Sequence, residues 1–286
     1  MSPSIRKSTV AAEDYKTAIW AYYRYYPSEA AAIVFTVLFA MTTFVHLYQL
    51  VRHRTWSFIP FLIGGFFEWV GYIGRILSST ESPDWTMGPY IQQTLLLLLA
   101  PALFAASIYM MLGRIVVLLD AEQLCLFKKK WLTKFFVCGD ILSFTVQAAG
   151  GGVMASGGLS AVHNGEKIVI AGLVIQIVFF GFFIATCALF HKRIKKSPTE
   201  QTLELNSTWR KHLHVLYAAN SLILIRSVFR LIEYATGNNG YLLRHEVFLY
   251  VFDGLLMLLV MTAFNVIHPS GLISHKTKGT EMNALP

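Results

Sequence analysis

Seven predominantly apolar stretches, each close to the roughly 20 residues that carry a helix across the hydrocarbon core of a bilayer, constrain this chain more than any other feature. They lie near residues 29–50, 57–77, 90–112, 132–153, 168–190, 212–235 and 243–267. Inside lipid only helices and closed barrels satisfy every backbone N–H and C=O. The expected fold is therefore all-α, a polytopic membrane protein with seven transmembrane helices. Composition agrees: charged residues make up 14% of the 286, against about 25% in ordinary soluble domains, and the mean hydropathy is +0.52.

The expected organisation is an extracellular N-terminal segment over 1–28, a seven-helix domain over 29–268 and a cytoplasmic tail over 269–286. Residues 1–28 carry scattered charges and no apolar core ahead of a small-residue cleavage site, so no secretory signal peptide is expected and the first helix inserts itself. Lys and Arg are unevenly shared among the connections. Arg52 and Arg54 follow the first stretch; Arg114, Lys128, Lys129, Lys130 and Lys134 follow the third; six more, ending at Lys211, follow the fifth. On the opposite side, 78–89 and 236–242 have none and 154–167 has only Lys167. The positive-inside rule then predicts an outside N-terminus and a cytoplasmic C-terminus. The net charge of +8 reads as this topology signal plus affinity for anionic headgroups. With the basic residues on loops and no recognisable reader module, no nucleic-acid partner is expected.

Full charges inside the apolar stretches are the next constraint. EWVGYIGR places Glu68, Tyr72 and Arg75 at i, i+4 and i+7, on one face of the second helix. RSVFRLIE does the same for Arg226, Arg230 and Glu233 on the sixth, and EVFLYVFD for Glu246, Tyr250 and Asp253 on the seventh. Asp140 and Gln147 belong to the fourth helix, Gln176 to the fifth, and Gln92 and Gln93 open the third. A charge at the bilayer centre costs about 2.5–3.5 kcal/mol even on the lenient insertion scale. These stripes are thus predicted to face inward, either as ion pairs that fix packing or as a pathway. Glu68, Asp140, Glu233, Glu246 and Asp253 set five acids against the three bases Arg75, Arg226 and Arg230. Pairing leaves acid in excess, which suits a cationic headgroup or a proton. Pro101 is expected to kink the third helix, and the glycine-dense QAAGGGVMASGG, 147–158, reads first as close helix packing.

Several function classes find no support. Cys125, Cys138 and Cys187 are odd in number and fall at cytoplasmic or buried positions, so no disulfide framework is expected. The acceptor pattern Asn206-Ser207-Thr208 falls in a predicted cytoplasmic loop and is expected to be unmodified. The histidines are dispersed, with His46, His214 and His268 on three different helices, and there is no H-E-x-x-H, so neither zinc nor haem is expected. No G-x-S-x-G and no phosphate-cradling glycine loop appears. No apolar stretch has a lysine in its interior to hold retinal as a Schiff base. The chain is expected to be neither an enzyme nor a cofactor protein.

The blocks EWVGYIGR, PYIQQTLLLLLAPALFAASIYMMLGR, GDILSFTVQAAGGG and RSVFRLIEYATGNNGYLLRHEVFLYVFD, taken in order, resemble the fungal lipid-translocating exporter family, which includes aminocholesterol-resistance, sphingoid long-chain-base and protoporphyrin-uptake proteins. The similarity runs from about Tyr26 to His268. The resemblance implies a fungal plasma-membrane protein whose partners are membrane lipids or an amphiphilic small molecule, linked to tolerance of toxic amphiphiles. It carries Glu68, Tyr72, Arg75, Gln92, Asp140, Gln147, Arg226, Arg230, Glu233, Glu246 and Asp253 as motif positions without roles. The first expectation is a transporter or floppase-like protein in which a headgroup passes Glu68, Asp140, Gln147, Arg226 and Asp253, downhill or coupled to protons since no Walker motif supplies ATP. The alternative is a seven-helix receptor or sensor of lipids or stress. Against it, the third helix ends in GRIV and the seventh in NVIHP, without the familiar receptor signatures.

Overall fold

The computed structural model describes residue 23 and residues 25–126, 129–155, 159–204, 208–237 and 240–270. Seven helices in it are long and apolar enough to cross a membrane: α1 (Glu29–His53), α2 (Ile59–Thr80), α3 (Met87–Leu118), α4 (Lys129–Ala155), α5 (Leu159–Lys196), α6 (Thr208–Ala235) and α7 (Glu246–Val266). No strand occurs among the described residues. Lys128, the glycosylation pattern at 206–207, the end of the glycine block at 156–158 and nearly all of both tails lie outside them.

Local chemistry sets the helix limits. Ser28 caps α1 by accepting from the Ala31 N–H, and Glu29 follows in the first turn, where the helix dipole favours an acid. Pro60 stands in the first turn of α2, where its missing N–H costs nothing. The first-turn N–H of Phe61 finds an acceptor on another helix, the Ser107 hydroxyl of α3, at 2.9 Å. The greatest departure from expectation is α5, which starts at Leu159 rather than near 168 and continues to Lys196. At 1.5 Å per residue it is about 57 Å long, well beyond a hydrocarbon core. Hydropathy marks only its apolar middle, while the polar turns on either side keep helical backbone without needing lipid.

Consecutive helices pack side by side, α7 closes back onto both α6 and α1, and α3, the most buried of the seven, also touches α6 and is the central helix. Its buried face, with Phe104, Ile108, Met111 and Leu112 at zero exposure, meets Phe61, which itself packs on Phe104 and Phe264 at 4.6 and 5.1 Å between ring centres. The outward surfaces of α1, α4 and α5 remain apolar, as at Val34, Met41, Ile141 and Val178. Exposed Trp56 and Trp131 mark one end of the bundle, and exposed Tyr26 and Tyr241 mark the other, the aromatic girdles of a membrane–water boundary.

Candidate functional site

The three charged stripes meet where α2, α6 and α7 converge. Glu68, Arg75, Arg226 and Asp253 are each no more than 2% exposed, far below what unpaired charges tolerate. Asp253 is the hub. Its Oδ1 pairs with Arg226 Nε and its Oδ2 accepts from Arg230 Nη2. Arg230 Nη1 also donates to Glu233 at 2.8 Å, one turn along α6. Arg226 Nη2 donates at 2.7 Å to the carbonyl of Leu97 on α3. That carbonyl stands four residues before Pro101, which has no N–H to offer it. The proline of the central helix and the arginine of α6 thus complete one another.

Asp253 belongs to a π-helical stretch, Tyr250–Leu255, inside α7, the kind of single wide turn often met at functional sites. Next to it Gly254 leaves room for α2: a Cβ there would lie 2.5 Å from the Tyr72 hydroxyl and 2.7 Å from the Phe35 ring. Glu68, one turn before Tyr72, lies in the field of Asp253, Arg226 and Arg230. Its Oε1 and the Tyr72 hydroxyl are buried without a hydrogen-bond partner among the described residues.

A second group closes the same end of the bundle. Arg75 donates to Glu246 at 2.7 Å, to the Tyr250 hydroxyl at 3.0 Å and to the Tyr25 hydroxyl at 2.8 Å. Both Glu246 oxygens accept the Ser28 N–H, at 2.9 and 3.0 Å, so the segment entering α1 is strapped to α7. Tyr23 continues the strap, donating to Gln93 at 2.9 Å and packing edge-on against Trp85 and Tyr90. Burial pushes the Tyr23 phenol up, so it remains a donor.

Below this strap is a cavity of about 100 Å³. Arg230 and Glu233 form its charged floor, while Tyr23, Tyr25, Tyr90 and Tyr234 supply aromatic walls and Glu166 and His245 stand at its sides. This vestibule meets the Arg230–Asp253–Arg226 line at Arg230, which lines the cavity and pairs with Asp253 behind it.

The structure brings together Glu68, Tyr72, Arg226, Arg230, Glu233 and Asp253, with Arg75 and Glu246 adjacent. It places the other four candidates elsewhere. Gln147, with Ser143 and Gln176, ties α4 to α5: Gln147 donates to the Ser143 hydroxyl at 2.7 Å and to Gln176 at 3.3 Å, while Ser143 donates to the Gly172 carbonyl at 2.7 Å. Asp140 faces the Tyr109 hydroxyl across the α3–α4 contact without the geometry of a full hydrogen bond. Gln92 donates to the Val70 carbonyl at 3.0 Å, and its neighbour Gln93 reaches the vestibule instead. Sequence reasoning did not single out Tyr23, Tyr25, Tyr90, Glu166 or His245. The run Tyr22-Tyr23-Arg24-Tyr25-Tyr26 just before the first span was the available signal. The histidines are less dispersed than their spacing suggests: the rings of His46 and His53 each lie 5.5 Å from that of His268, and His212 reaches the His268 carbonyl. No group of three or more metal-binding side chains able to hold an ion occurs among the described residues.

Residues 61–276 match the family described as RTA1 like protein. The chain belongs to the RTA1-like family. Similar proteins of Saccharomyces cerevisiae include Protoporphyrin uptake protein 1, 39% identical with 85% of this chain and 90% of that one covered, and Protein RTA1, 38% identical with 86% and 84% covered. A more distant relative, Sphingoid long-chain base transporter RSB1, is 27% identical with 89% and 74% covered. No solved structure matches the chain. Two of the relatives are named as a probable lipid transporter and a sphingoid long-chain base transporter, and the chain is a multi-pass integral membrane protein.

Proposed function

We propose that this RTA1-like protein moves an amphiphile between leaflets or out of the cell, its headgroup passing through the vestibule and along the Arg230–Asp253–Glu68 line while its tail stays in lipid. The observation that carries this reading is that Arg230 both lines a cavity and pairs with the buried Asp253. A purely structural ion-pair network needs no such cavity. The names of the relatives support amphiphiles as the cargo class, with sphingoid bases and porphyrins within it; we extend the class to sterol-like compounds. The uneven spread of Lys and Arg supports a vestibule facing outside; the membrane proposed is the plasma membrane.

The test is leaflet exchange of a fluorescent long-chain base in liposomes that contain only the purified protein, read with a quencher that cannot cross the bilayer. Exchange faster than in liposomes carrying an unrelated seven-helix protein is expected. Saturable binding of the same lipid with no exchange would overturn transport and favour a lipid sensor using the same vestibule.

A further inference from the structure

The charge balance of the α2–α6–α7 junction does not close. Glu68, Glu233 and Asp253 oppose only Arg226 and Arg230, because Arg75 is taken up by Glu246 and the tyrosines around it. Asp253 holds both arginines and Glu233 shares Arg230. Glu68 is the acid left over: 2% exposed, with Oε1 unpartnered. The charged groups that face it are Asp253 from α7 and Arg226 and Arg230 from α6, and Tyr72 stands beside it on α2. A lone carboxylate so placed is an uncompensated buried charge, which the fold can hold only if one positive charge joins it.

We infer that Glu68 is a proton-binding site, and that an organic cation entering from the vestibule displaces its proton one for one. The Glu68 O–H bond breaks, the proton leaves to water through the vestibule, and the carboxylate becomes the counter-ion of the arriving headgroup. No oxidant or co-reactant is involved and the charge of the junction is unchanged. Glu68 suits this because it alone of the three acids has no arginine of its own. Removing its proton disturbs no ion pair, whereas protonating Asp253 would break two. This rests on the proposed passage of a headgroup through the junction and adds its coupling.

The experiment measures protons released when N,N,N-trimethylsphingosine, whose charge is fixed, is added to the full-length protein in lightly buffered detergent containing a pH-sensitive dye. One proton released per lipid bound is expected. Glu68→Asp, which keeps an acid, should retain the release and Glu68→Gln should abolish it. Infrared difference spectra of the resting wild type and Glu68→Gln should show the loss of one protonated-carboxyl C=O band, with unchanged unfolding temperature, since the amide replaces a group already neutral. No release by the wild type, equal release from Glu68→Gln, or a Glu68→Gln protein that keeps every carboxyl band would each overturn the inference. Leaflet exchange that persists in the absence of proton release would sink the coupling alone and leave transport standing.

Discussion

Arg226 on α6 donates at 2.7 Å to the carbonyl oxygen of Leu97, the acceptor in α3 that Pro101 leaves without a helical donor. The guanidinium therefore has two tasks, pairing with Asp253 and closing the hydrogen-bond gap of the central helix. Arg226→Ala should cost about 3 kcal/mol, the lower end of the range for breaking a buried pair, because Arg230 still neutralises Asp253. Adding Pro101→Ala restores an N–H to Leu97 and should recover about 1 kcal/mol. Thermal or denaturant unfolding of the four proteins in this cycle measures it; strictly additive losses would contradict the link.

The close approach of α2 and α7 at Gly254 predicts steric coupling. Gly254→Ala brings a Cβ within 2.5 Å of the Tyr72 hydroxyl and should destabilise by about 1–3 kcal/mol, the usual cost of overpacking. Tyr72→Phe removes an unpartnered buried hydroxyl and should be neutral or slightly stabilising. The double variant should recover part of the loss, as read by unfolding temperature.

Gln147→Leu separates packing from passage. Its amide ties α4 to α5 away from the vestibule, so its loss should lower stability by about 1–3 kcal/mol while flux per folded molecule stays at the wild-type level. A selective loss of flux would return Gln147 to the pathway.

His268, beyond the end of α7, supplies a pH dependence. Burial, then the neighbouring imidazoles of His46, His53 and His212, push it from 6.5 down to about 4. The unfolded chain takes up this proton near pH 6.5 and the folded one resists until about pH 4. Stability from this group is thus complete above 6.5 and drains away as pH falls towards 4. His268→Asn should flatten the fall of unfolding temperature across that window.

Glu246 anchors the strap through both its oxygens on the Ser28 N–H. Glu246→Gln keeps its size but weakens these charge-assisted bonds. Faster amide exchange at Ser28, with the interior of α1 unchanged, is the expected result.

Helix count and the inward-facing stripes were legible in the sequence, because the need to bury Glu68, Arg226 and Asp253 follows from lipid alone. The partition of the stripes was not. An i, i+4, i+7 pattern gives a face but not a neighbour, so it could not show that Glu246 turns to Arg75 while Asp253, seven residues on, meets Arg226 and Arg230. The π turn that redirects α7 has no signature in YVFDGL. Nor could Asp140 and Gln147 be separated from the junction without knowing that their face of α4 meets Tyr109 and Gln176. The tyrosine strap was hidden because it lies just outside the first apolar span, where a membrane reading stops looking.

The passage of a headgroup through the vestibule is tested most directly by blocking it. With Cys125, Cys138 and Cys187 replaced by serine, a single cysteine at Leu243, on the vestibule wall, is labelled with a bulky maleimide and leaflet exchange of a fluorescent long-chain base is measured in liposomes. A cysteine at Leu142, exposed on the outer face of α4, is the comparison. If headgroups pass through the vestibule, labelling at Leu243 stops exchange and labelling at Leu142 leaves it unchanged. Equal exchange before and after labelling at Leu243 would contradict it.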